Sequence, residues 1–104
     1  MILGKITGKV STKEFIFKIE SKAEKFQYVQ MNHEGKYVLG QIIEIEKDIE
    51  KTIGICNVIG YRDSDKILKT LKTPFEPDID VLDAKEDFIK ETLSLEKNYN
   101  SAYI

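Results

Sequence analysis

The 104-residue sequence contains no tryptophan, one histidine, one cysteine and two prolines. A single cysteine, Cys56, cannot form an internal disulfide, which suits a reducing, cytoplasmic setting. A single histidine, His33, leaves a Ser/His/Asp arrangement one candidate base, and that base lies in a turn. A metal site would need partners at ligand spacing, and Cys56 stands far from His33 in the sequence without them. No apolar run approaches the roughly 20 residues that a membrane-spanning helix requires. Lys5 and Lys9 also break any apolar stretch that could act as a signal peptide. Without tryptophan, the core must be aliphatic, plugged by some of the five phenylalanines and five tyrosines.

With 41% hydrophobic and 33% charged residues, the chain reads as one soluble globular domain over residues 1–104. The net charge of −2 conceals an asymmetry. Residues 1–25 carry six lysines against three glutamates, whereas residues 76–91 carry seven acids against two lysines. The basic excess is too small to argue for nucleic acid by itself, since strong binders cluster many phosphate contacts. The ordinary explanation is a solvated strand face followed by an acidic helix.

The opening stretch Gly4-Lys5-Ile6-Thr7-Gly8-Lys9-Val10-Ser11 resembles a phosphate-binding loop superficially. A Walker A loop needs four residues between its glycines and Ser or Thr directly after Lys. Here three residues separate the glycines, and Val10 stands between Lys9 and Ser11. Alternation is the stronger signal: Ile2, Gly4, Ile6, Gly8 and Val10 fall on one side, Leu3, Lys5, Thr7 and Lys9 on the other. Period 2 with β-branched residues predicts a strand.

The pattern continues as short strands over about residues 2–62. Ser11-Thr12 turns the chain into Glu14–Ile19, where Phe15, Phe17 and Ile19 share a face, and a polar link leads to a strand over 27–32. Asn32-His33-Glu34-Gly35-Lys36 is the best turn signal, because Gly35 tolerates positive φ and Asn32 favours turns; it predicts a hairpin. A long strand follows from Lys36 to about Lys47, with Gly40 marking a bulge or bend of the kind that curls a sheet closed. After a charged loop at 47–51, residues 52–62 return as a strand. Residues 63–82 read as irregular, with Pro74 and Pro77 opposing regular pairing. A helix is predicted over about 84–95, N-capped by Asp83 with Glu86 three residues on, burying Ala84, Phe88, Ile89, Thr92, Leu93 and Leu95. Tyr103 and Ile104 look like the start of a further strand. The expected fold is therefore mainly β: a small closed or nearly closed antiparallel barrel of five to seven strands with one C-terminal helix. Its expected core is Ile6, Val10, Phe15, Phe17, Val29, Leu39, Ile43, Ile55, Val58 and Phe88.

No catalytic, cofactor-binding or metal-ligating set emerges from the residues. Cys56 lies in an apolar strand and reads as a small buried hydrophobe. Glu44 and Glu46 would share a strand face, but an exposed acidic face explains them better than acid–base chemistry. The partner-interface candidates are Asn32, His33, Glu34 and Lys36, because side chains of a hairpin tip need no core contact and loop tips on rigid barrels commonly carry binding. The acidic 76–91 segment is the alternative face.

Several stretches taken together, "ILGKITGKVSTKEFIFKI", "YVQMNHEGKYVLGQIIEIE" and "NVIGYRDSDKILKTLKTPFEPDIDVLDAKEDFIKETLSL" followed by "AYI", resemble one family in the same order. That family is the N-terminal HAS barrel of the HerA-type hexameric DNA translocases. The resemblance implies a barrel that helps assemble a homo-hexamer and docks a NurA-type nuclease in DNA-end processing, with DNA contacted mainly by the full-length ring. It implies that ATP and Mg²⁺ belong to a downstream ATPase core, so that this chain would be a non-catalytic piece of a longer cytoplasmic protein. A different class of function, a free-standing OB-like binder of single-stranded nucleic acid, would use Lys5, Lys9 and Lys18 with Tyr28 and Tyr37, against an overall charge of −2.

Overall fold

The structure, a computed structural model, describes residues 1–93. It contains β1 (Ile2–Thr7), β2 (Glu14–Ile19), β3 (Tyr28–His33), β4 (Lys36–Lys47), β5 (Thr52–Arg62), β6 (Leu68–Lys69), β7 (Asp80–Asp83) and α1 (Glu86–Leu93). Neighbouring strands run β2-β1-β7-β3-β4-β5, all antiparallel, and β2 also pairs with β5. These six strands close into a barrel, while β6 pairs only with the end of β5 and lies outside the ring. Closure leaves few free ladder groups, which is how small all-β domains avoid edge-to-edge association.

Tight closure depends on Gly4, where β1 crosses β2. A Cβ at that position would stand 1.8 Å from the backbone carbonyl oxygen of Lys18, so only glycine fits. The expected bend near Gly40 appears as two bulges in the β4–β5 ladder. Ile59 is the extra residue between the Leu39–Gly60 and Gly40–Val58 pairs, and Ile43 is the extra residue between Ile42 and Glu44.

The bulges and the strand period decide which expected core residues point inward. Ile6, Phe15, Phe17 and Val29 lie in the core as expected, Val10 and Val58 are partly buried against it, and Leu39 is buried but on the opposite face of β4 from the core residue Val38. Ile43 is displaced by its own bulge, and Ile42 takes the interior position. Ile55 gives way to Cys56, which pairs with both Phe15 and Ile42; adjacent residues of a strand cannot both face inward. In β1 the register shifts between Ile2 and Gly4, so Leu3 is buried and Ile2 is exposed, the reverse of the simple alternation. Phe88 is half-buried and packs edge-on against Tyr37 instead of entering the core.

The largest departure is the segment 63–82, expected to be irregular. It supplies β6 and then β7, the strand that closes the barrel between β1 and β3. Between them, residues 70–79 cross one end of the barrel as a strap. Leu71 and Phe75 insert into the core, with the Phe75 ring edge-on to Phe15 at 5.3 Å between centroids. Pro74 lies in an extended stretch of the strap, whereas Pro77 and Asp78 form a turn, with Asp78 at φ 65°, that leads into β7. Further on, Asp83 ends β7 and accepts a hydrogen bond from Gln27 Nε2 at 2.9 Å, so it does not cap the helix as expected. The helix begins at Glu86, and the buried Gln30 side chain accepts the Lys85 amide at 3.1 Å at its entrance. Arg62 Nε donates to the Thr92 carbonyl at 2.6 Å and ties the helix to β5. Leu95, Tyr103 and Ile104 lie outside the described residues. Among the described residues no helix is long and apolar enough to cross a membrane.

Candidate functional site

The candidate residues Asn32, His33, Glu34 and Lys36 sit at the junction of β3 and β4. His33 pairs with Lys36, leaving Glu34 and Gly35 as a two-residue turn. Both have positive φ, 54° and 84°, the type I′ geometry whose twist matches the flanking strands. Asn32 Oδ1 accepts the Gly35 amide at 3.3 Å and steadies the turn.

Strand alternation divides the set. His33 and Lys36 are cross-strand partners on one face with Glu34 beside them, while Asn32 is paired with Tyr37 on the other face. On the His33 side, the hairpin tip meets the strap. The His33 ring stands edge-on to Phe75 at 5.2 Å between centroids, and its Nε2 lies 3.1 Å from Thr73 Oγ1. Thr73 Oγ1 is also 3.5 Å from Glu34 Oε2. Between tip and strap opens a cleft of about 150 Å³. Val38 and Leu71 form its floor, and Tyr61, Lys72 and Thr73 face the hairpin residues across it.

Lys36, on the rim of the cleft, also belongs to an ionic cluster beside it. Lys36 Nζ donates to Asp63 and lies 5.2 Å from the Tyr61 ring centroid. Lys69 Nζ bonds Asp63 at 3.0 Å and Asp65 at 2.9 Å. Hydrogen bonds from Lys36 and then Lys69 hold the Asp63 carboxyl below its ordinary value, and the bond from Lys69 does the same for Asp65. The bonds to Asp65 and Asp63 raise Lys69, and the bond to Asp63 raises Lys36. These side chains are partly solvated, so the cluster fixes geometry more than it stabilises the fold.

The premise that the tip side chains are free is therefore corrected. Glu34 is exposed, but His33 is half-buried against Phe75 and Lys36 is committed to Asp63. The strap residues Leu71, Lys72 and Thr73, with Tyr61, are absent from the expected site and complete the cleft. The pair Leu71 and Phe75 flanking Pro74 was the available signal, because two large apolar residues in a supposed loop must be buried somewhere.

The Gly4–Ser11 stretch cannot cradle a phosphate, since Gly4 lies inside β1 with the Lys18 carbonyl occupying the space beside it. Cys56 is buried, and burial pushes its thiol up to about 12. Glu44 and Glu46 are exposed on β4, and Glu44 Oε1 accepts the Ile45 amide at 3.1 Å. Lys5, a cation of the nucleic-acid reading, is paired with Asp80 at 2.8 Å. Among the described residues no group of three or more His, Cys, Asp or Glu is placed to hold a metal ion.

The family profile of the HAS barrel domain matches residues 3–64, which span β1 to β5 and end before the closing strand β7. The probable DNA double-strand break repair helicase HerA of Methanocaldococcus jannaschii is 37% identical over 82 residues. That match covers 78% of this chain and 16% of the helicase, so the chain spans a small part of the relative's length.

Proposed function

The chain belongs to the HAS-barrel family, and on that footing we propose that it is the assembly and docking barrel of a HerA-type DNA translocase. The identity of 37% across 78% of the chain is the observation that carries this reading. In it, the barrel does no chemistry of its own. It holds a rigid surface on which neighbouring subunits of a hexamer and a NurA-type nuclease engage, in a cytoplasmic protein of DNA-end processing. ATP and Mg²⁺ act on a separate ATPase core, and DNA is contacted mainly by the assembled ring.

The cleft between the hairpin tip and the strap supports the docking half. A cavity of about 150 Å³ with an apolar floor at Val38 and Leu71 suits a single apolar anchor side chain of a partner. The rim, Glu34, Lys36 and Lys72, supplies charges that steer encounter and are screened by salt within about 8–10 Å. Because Lys36 is bonded to Asp63, reversing its charge would disturb the cleft itself. Glu34 and Lys72, both exposed, are the cleaner positions.

Calorimetric titration of the chain with the NurA-type nuclease of the same organism tests the reading. Saturable binding that weakens with salt and with Glu34→Lys plus Lys72→Glu is expected. Absence of binding, together with no self-association in sedimentation velocity at high concentration, would refute the docking role. Saturable ATP hydrolysis by the chain alone would refute its non-catalytic character.

A further inference from the structure

The far end of β4 offers a second surface. β3 pairs with β4 only as far as Gln41, and the last backbone bonds on that side join Ile42 to Phe26 and Gln27. From Glu44 to Lys47, β4 is paired with β5 on one side, and on the other no strand among the described residues covers it. This is an open sheet edge in a domain whose other barrel strands are largely closed.

The residue that opens the edge is strained. Phe26 has φ of 72°, a left-handed conformation that bulky residues rarely adopt. Its amide donates to the Ile42 carbonyl at 2.7 Å and its carbonyl accepts from Gln41 Nε2 at 3.0 Å, so the backbone is pinned on both sides. The result is a phenyl ring left 61% exposed, with Lys25 Nζ 5.2 Å from its centroid. A fixed, strained backbone that holds a large apolar ring in water does nothing for the core, and such strain concentrates at binding positions.

Charge along the edge selects the occupant. Glu44, Glu46, Asp48 and Glu50 stand against Lys47 and Lys51 over residues 44–51, with Lys25 Nζ 3.7 Å from Glu44 Oε2 and Glu46 without an ion-pair partner among the described residues. The Ile45 amide is taken by Glu44 Oε1, so it is directed away from β5, and Lys47 follows two residues on. An added antiparallel strand would bond at Ile45 and Lys47, and the intervening Glu44 and Glu46 would lie at the closer, non-bonded positions. A second copy of this edge fits badly. Whether Ile45 pairs with Ile45 or with Lys47, glutamate then faces glutamate, which is destabilising. A strand with cations at those positions removes the conflict and draws the Glu44 carboxylate off the Ile45 amide.

We propose that the β4 edge over residues 43–47, with the Phe26 ring beside it, is a docking site for an extended peptide segment carrying Lys or Arg at alternate positions, added as a further strand. Backbone bonds supply affinity, and Glu44 and Glu46 supply the choice of partner. The site lies at the opposite end of β4 from the hairpin tip, so it stands or falls separately from the docking proposed above.

The test is titration of the ¹⁵N-labelled full chain with an eight-residue peptide alternating lysine and valine, followed by NMR, with an alternating glutamate–valine peptide as control. Saturable shifts at Phe26, Ile45 and Lys47, with slowed amide exchange at Ile45 and Lys47, are expected from the basic peptide only. Glu44→Lys with Glu46→Lys should weaken binding roughly tenfold. Phe26→Gly should weaken binding while leaving the melting temperature equal or higher, because glycine accepts the left-handed backbone. A merely structural Phe26 would lose stability instead. Shifts that map elsewhere, equal binding of the acidic peptide, no saturable shift at millimolar peptide, or concentration-dependent self-pairing at the same amides would each overturn the proposal.

Discussion

Substituting Gly4 by alanine probes the closure of the barrel at its tightest point. The new Cβ would lie 1.8 Å from the Lys18 carbonyl oxygen and 3.1 Å from Phe17 Cδ2. Bringing the first contact to an ordinary separation requires β1 and β2 to part by more than about 1 Å, and real N–H···O bonds do not survive such a shift. The obstacle is backbone and has no rotamer to change. Parting disturbs the Gly4–Ile19 and Lys5–Lys18 pairs and also presses on Phe17, which is fully buried. Two weakened buried backbone bonds at about 1–3 kcal/mol each give a loss of about 3 kcal/mol or more. In a domain of about 100 residues, that lowers the melting temperature by about 12–24 °C. Gly8→Ala is the control: its φ is 70°, but nothing lies within 4 Å of a Cβ there. Only the left-handed penalty of about 1 kcal/mol applies. Thermal unfolding followed by circular dichroism measures both. A Gly4→Ala variant that melts within a few degrees of the parent would refute the close crossing of β1 and β2.

Phe17→Ala should cost about 3–5 kcal/mol, because the ring is fully buried against Gly54; a urea midpoint unchanged from the parent would contradict that placement. Cys56, with its thiol pushed up to about 12 by burial, should resist a thiol reagent at pH 8 in the folded chain and react promptly in denaturant. Rapid labelling without unfolding would show the barrel wall to be open there. Asp63 is held below its ordinary value of 3.8, chiefly by Lys36, so its contribution is complete above about pH 4 and is lost as pH falls through the folded-state value. Asp63→Asn should therefore flatten part of the acid decline in melting temperature as pH falls below about 4. An identical acid limb in that variant would show the Lys36–Asp63–Lys69 cluster to be uncoupled from folding.

The strands that were legible in the sequence are those whose patterns are local. Phe15 and Phe17 alternate with Glu14 and Lys18, Asn32 and Gly35 announce a turn, and β4 and β5 were bounded correctly at Lys36, Lys47, Thr52 and Arg62. Bulges were not legible, because one inserted residue reverses every inward assignment beyond it; Ile43 and Leu3 show this directly. The closing strand β7 is four residues long, begins three residues after Pro77 and pairs with strands far away in the chain. Its acidic residues concealed it: Asp80 and Asp83 point toward Lys5 and Gln27, contacts that no short-range pattern contains. Of the candidate site, the hairpin tip was readable as a turn. The cleft was not, since it exists only where residues 71–73 return beside residues 33–38.

Hydrogen–deuterium exchange of the chain, alone and with the NurA-type nuclease, tests most directly whether the barrel is a docking element that works through the cleft. Binding there should slow exchange in peptides covering residues 33–38 and 71–73, with the salt dependence expected of the Glu34 and Lys72 rim. Protection confined to other segments, such as the acidic residues 76–91, would contradict that placement. Unchanged exchange throughout, at nuclease concentrations up to the solubility limit, would contradict the docking role itself.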